Sequence, residues 1–133
     1  MAGEKDLDKM LSSMEPYLNE GSYIFCSFPE AKPALQKHAI GSFIEKEGVT
    51  YILPQAIAEQ HKIAYEFLAS WISLEIHSAL DAVGLTAAFS QALGEANISC
   101  NVVAGYYHDH IFVGEKDTMK ALEVLKKLSE DAA

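Results

Sequence analysis

Residues 82–86, Ala82-Val83-Gly84-Leu85-Thr86, carry the types best suited to binding chemistry. A glycine at Gly84 lets backbone approach a ligand closely. A helix opening there presents amides without intrahelical partners, a setting that favours an anion. Asp81, just before, reads equally as an N-cap, and its carboxylate opposes that anion. Two other constellations compete. In Tyr106-Tyr107-His108-Asp109-His110 the histidines share one side of an extended chain, a spacing able to hold zinc. No third ligand follows, and His38, His61 and His77 are scattered, so this stretch reads as a solvated hairpin tip and neither metal nor cofactor is expected. On one strand, Glu75 and His77 have the types for acid–base work. Their row, with Trp71 and Ser73, reads better as a surface that meets another subunit through its tryptophan. The chain has no Walker loop, G-x-G-x-x-G, CxxC or nucleophile motif, so no enzyme is expected.

These residues need elements to position them. Ile72, Leu74 and Ile76 alternate with Trp71, Ser73 and Glu75, the period of a strand with one buried face. After Asp81 the period changes: Leu85, Ala88, Phe89, Ala92, Leu93 and Ala96 form one helical stripe, which Gly94 or Asn97 can end. Ile98, Cys100, Val102 and Ala104 alternate again. Upstream, the pattern predicts a helix over 5–14, stopped by Pro16 and Gly21, and a strand over 23–28. A break at 28–33 and one helical turn at 34–37 follow, then strands over 39–45 and 49–53 turning at Glu47-Gly48. A short helix runs from Pro54 to His61, and Ala64 leads into the strand of Trp71. Downstream come a turn at 106–109, a strand over 110–113 and a helix opening at Gly114. Met119, Leu122, Leu125 and Leu128 share its face, Glu115 and Asp117 lie in its first turn, Lys126 and Lys127 in its last, and fraying is expected from Glu130.

The run Asp81-Ala82-Val83-Gly84-Leu85-Thr86-Ala87, followed by the step from Leu93 to Asn97-Ile98, resembles the ACT domain, a small regulatory module. The resemblance is good over roughly residues 66–131 and weaker before. It implies a ferredoxin-like βαββαβ unit that pairs with others and often binds an amino acid beside its first turn. The implied ligand site is Asp81, Ala82, Val83, Gly84, Leu85 and Thr86, with Asn97 and Ile98 carried over as the strand edge that completes such a site from an adjacent unit. The two halves also read as a degenerate repeat, with 23–28 matching 71–76, 39–53 matching 98–113 and 54–61 matching the last helix. The expected fold is therefore α+β: ACT-like units in tandem, 1–65 (degenerate, with an N-terminal helix) and 66–133, each an antiparallel sheet with helices on one face.

Composition narrows the partners. Ten lysines, no arginine and nineteen acids give a net charge of −9, which argues against nucleic acid. No run approaches a membrane span, and the N-terminus lacks the apolar core of a signal peptide. With Cys26 and Cys100 inside expected strands, a cytoplasmic protein is expected. The expected function is regulatory binding of a small molecule, an amino acid by resemblance, in a homodimer. The alternatives are a ligand-free protein-interaction module and, with less support, an enzyme using Glu75/His77 or His108/His110.

Overall fold

The computed structural model describes residues 6–76 and 82–133. His77 and Asp81 fall outside the described residues, so the expectations placed on them are not addressed. The elements are α1 (Leu7–Ser12), β1 (Glu15–Leu18), β2 (Tyr23–Phe28), α2 (Pro33–Gln36), β3 (Gly41–Glu45), β4 (Gly48–Pro54), α3 (Gln55–Gln60), β5 (Ala69–Glu75), α4 (Leu85–Glu95), β6 (Asn101–Ala104), β7 (Asp109–Gly114) and α5 (Thr118–Asp131). The chain divides into two compact units: a flanking unit of Met1–Asn19 with Ser70–Ala133, and an inserted unit of Glu20–Ala69.

In the flanking unit the strand order is β1-β5-β7-β6. This is the ferredoxin-like arrangement, but its last strand comes from the start of the chain: β1 pairs antiparallel with β5, Glu15 opposite Glu75 and Tyr17 opposite Ser73. One face of this sheet is covered. Ile72, Leu74, Ile111 and Val113 pack with Met10, Leu11 and Met14 of the N-terminal segment, Phe89 and Leu93 of α4, and Ala121 and Leu125 of α5. That apolar side of α1 explains why residues expected in the 1–65 unit pack instead with the second half. The helical stripe of α4 is centred on Leu85, Phe89 and Leu93, all buried. The stripe of α5 is shifted from expectation: Ala121 and Leu125 are its buried residues, while Met119 is 67% exposed. A single 3-10 turn, Glu115–Asp117, precedes α5, and the helix runs to Asp131.

The inserted unit repeats the plan in smaller form. β2 pairs antiparallel with β4 along its whole length, Tyr23 opposite Pro54 through Phe28 opposite Val49, and β4 pairs with β3. Tyr23 also stands opposite Ala69. The core is Ile24, Leu35, Tyr51, Leu53 and Ala58. The hairpin turns at Lys46-Glu47, one residue earlier than expected, and Gly48 already pairs with Glu45. Gly48 has φ +148, and a Cβ there would sit 2.2 Å from the Phe28 carbonyl oxygen, so only glycine fits where β4 starts.

Two helices end in the same motif. At the end of α3 the Ile63 amide donates to the Ala58 carbonyl and the Lys62 amide to Glu59. At the end of α4 the Ile98 amide donates to Leu93 and the Asn97 amide to Gly94. These are Schellman caps, which need a left-handed residue after the helix. Lys62 (φ +57) and Asn97 (φ +61) supply it. Asn97 is therefore the residue that stops α4, and Gly94 lies inside the helix.

Candidate functional site

The turn at 82–86 opens α4 as expected. Gly84 is left-handed, φ +94 and ψ −15, and stands at the N-cap position with no side-chain cap. Val83 is 83% exposed and Leu85 is buried; Thr86 is exposed and Ala82 half-buried. The space over Gly84 is occupied by this chain's own Leu7, whose Cδ2 would lie 3.3 Å from an added Cβ. Asn97 and Ile98 belong to the other end of α4. At about 1.5 Å per residue, the 11-residue helix separates them from Gly84 by about 16 Å. Within one unit the structure does not bring these two groups together. Ile98 is 3% exposed, packed in the core as the apolar half of the Schellman cap.

On the uncovered side of the flanking sheet, the expected outward row is knitted into a polar network. The Trp71 Nε1–H donates to His110 Nδ1 at 3.0 Å, and the Ser73 hydroxyl lies 3.0 Å from the same nitrogen. Asn19 Nδ2 donates to Ser73 Oγ at 2.9 Å and to the Trp71 carbonyl at 3.2 Å. Because the indole N–H is only a donor, His110 Nδ1 is an acceptor and the ring is the neutral Nε2–H tautomer. Burial pushes the His110 pKa down; neighbouring His108 pushes the same way and Asp109 opposes them. Burial pushes the Asp109 carboxyl up, with His110 opposing. Trp71 is thus half-buried, its ring stacked on Phe112 at 6.3 Å, rather than projecting as an open anchor. His108 Nδ1 is buried without a hydrogen-bond partner. Among the described residues no group of three or more His, Cys, Asp or Glu is arranged to hold a metal ion.

The inserted unit contains a feature that the sequence reading passed over. A cleft of about 510 Å³ lies against the end of β2, its walls including Cys26, Phe28, Lys32, Leu35, His61 and Lys62. Its first rim is the strand-to-helix connection 29–32, the counterpart in this unit of residues 82–86. The Lys32 amide donates to the hydroxyl of the buried Tyr51 at 2.8 Å, which fixes the rim. The Lys32 ammonium sits 5.5 Å from the Phe28 ring centroid, a cation–π distance. The second rim follows α3 and carries His61 and left-handed Lys62. Beside it, Tyr65 accepts from Gln55 Nε2 and donates to Glu59, both at 2.7 Å. Burial holds the Cys26 thiol above its usual pKa, outweighing a backbone hydrogen bond at Tyr51, so Cys26 lines the cleft as a neutral thiol. The expected match of 23–28 with 71–76 makes 29–32 the partner of the glycine turn.

Comparison with known proteins agrees with this architecture. The ACT domain is matched twice, over residues 2–70 and again over residues 66–127. Among solved structures, a Vibrio cholerae protein of unknown function is 43% identical, with a TM-score of 0.84 over 94% of this chain and 97% of its own. The regulatory subunit of aspartate kinase from Thermus flavus has a TM-score of 0.61 at 9% identity, over 85% of this chain and 95% of its own. A protein from Agrobacterium tumefaciens has a TM-score of 0.61 at 18% identity, over 87% and 89%. No curated protein matches the chain.

Proposed function

The chain belongs to the ACT domain family, with two units in tandem, and from that premise we propose that it is a regulatory protein sensing a small carboxylate-bearing metabolite. An amino acid is the class that the family resemblance implies. The observation that carries this reading is the cleft of the inserted unit, whose lining joins Lys32, His61 and Lys62 to apolar residues in a chain without arginine. Lys32 and Lys62 give the cleft counter-charge for an anion, and the reading is of binding without turnover. The Thermus flavus relative is itself a regulatory subunit, which favours binding over turnover for this chain too. The turn at 82–86 is the second ligand locus that we propose. Its amides suit a carboxylate, Leu7 must give way first, and Asn97 and Ile98 reach it only from another copy. A panel of amino acids and small carboxylates tested by thermal shift checks the proposal. A ligand present at about 100 times its Kd raises stability by about 2.7 kcal/mol; a panel that leaves the midpoint unmoved at millimolar concentrations counts against it.

A protein-interaction role is the second reading, and one observation favours it. On edge strand β3, Phe43 and Ile44 are 71% and 84% exposed, which suits docking rather than solvent. No helix among the described residues is long and apolar enough to cross a membrane.

A further inference from the structure

We infer that the cleft of the inserted unit prefers a small organic anion without an ammonium group, such as a 2-oxo acid or an apolar carboxylate, over the corresponding amino acid. This rests on reading the cleft as the ligand site. Its lining supplies Lys32, Lys62 and His61, and none of its ten lining residues is Asp or Glu. The chain as a whole has 19 acids against 10 lysines, so the cleft's charge runs opposite to that of the molecule. A carboxylate entering it meets a lining that includes two lysines and a histidine. The ammonium of an amino acid finds no carboxylate there and is repelled by both lysines, while leaving water costs it hydration. Deleting that ammonium removes the conflict and keeps the match. Phe28, Leu35 and Ile63 offer apolar contact to the remainder of the ligand.

Lys62 holds its charge at an unusual backbone position. It fills a helix-cap position with φ +57, where glycine is least strained. Asn97, at the same position after α4, is a residue type that tolerates this geometry. A cation just past a helix C-terminus also suits the helix dipole. Lys62 is also one of the residues that line the cleft, where the same charge suits an anion.

The test is calorimetry on the full chain with two matched pairs: 4-methyl-2-oxopentanoate against L-leucine, and 3-phenylpropanoate against L-phenylalanine. The expected result is that the acid without the ammonium binds about tenfold tighter or more in each pair. Lys62→Gly relieves the backbone, so its midpoint without ligand holds or rises, while affinity for the anion falls about tenfold. Lys32→Gln, at an exposed position, weakens binding in the same way. Should the amino acids bind as tightly or tighter, and Lys62→Gly weaken them, the cleft is the ligand site and the preference inferred here is wrong. Should neither substitution change any affinity, or no probe bind, the reading of the cleft as the site falls with it.

Discussion

At the scale of single residues, the network around His110 makes a testable statement about pH. Nδ1 of His110 accepts from the only tryptophan in the chain, Trp71. Protonating Nδ1 breaks that bond. The ionisable neighbours are His108 in the turn, Asp109 on the same strand, and Tyr17 on β1 opposite Ser73. His110 titrates lower in the folded state than the ordinary 6.5, chiefly through burial. The unfolded chain therefore takes up this proton first as pH falls. The contribution of His110 is present above pH 6.5 and is lost as pH falls from there through its folded pKa. Asp109, raised by burial, has the opposite sign: its contribution is largest below 3.8 and is lost as pH rises through its folded pKa. Tryptophan emission should titrate with a midpoint below 6.5, and His110→Gln should abolish that transition. A midpoint at or above 6.5 contradicts the network. Gly84 offers a second residue-scale test. At φ +94, alanine strains the backbone, and Gly84→Ala should lower stability by about 1–3 kcal/mol. Because the strain lies in the backbone, most of it should persist with Leu7→Ala, which removes the neighbouring side chain. If Leu7→Ala cancels the loss, the contact rather than the conformation was responsible.

At the scale of elements, what could be read from sequence is what periodicity encodes. Strand β2 is found at the expected Tyr23–Phe28, and the apolar stripe of α4 is buried at Leu85, Phe89 and Leu93. Strand β1 was missed because Pro16 and Gly21 read as stops for a helix, yet Glu15–Leu18 pairs with β5. A four-residue strand has too few positions for a period to show, and only its distant partner defines it. The cleft was illegible for a related reason. Lys32 and Lys62 are 30 positions apart in sequence and line one cleft because α2 and α3 both pack against β4. The core of α4 should carry the stability of its unit: Phe89, fully buried, should cost about 3–5 kcal/mol on replacement by alanine, read as a lower denaturant midpoint. A loss under 1 kcal/mol would mean that the α4 contacts described above do not form.

At the scale of the molecule, the tandem plan was legible from element order, whereas the crossing of the N-terminal segment to the second half was not. That crossing depends on Met10, Leu11 and Met14 finding a core whose other residues begin at Ile72. Assembly is argued at this scale too. Edge strand β6 has all four residues exposed, among them Val102 and Val103, and β3 exposes Phe43 and Ile44. We propose a homodimer through such an edge. Light scattering should give twice the 14.6 kDa chain mass at micromolar concentration, and Ile44→Lys or Val103→Lys should return it to the monomer. A monomer in the unaltered chain contradicts the proposal.

The central claim is that a small carboxylate binds in the cleft of the inserted unit, and methyl-resolved NMR tests it most directly. Titrating 4-methyl-2-oxopentanoate into methyl-labelled protein should shift Leu35 and Ile63, which line the cleft, and leave Leu7 and Val83 beside Gly84 unmoved. Shifts at Leu7 and Val83 with Leu35 and Ile63 silent would place the ligand at the glycine turn and contradict the account.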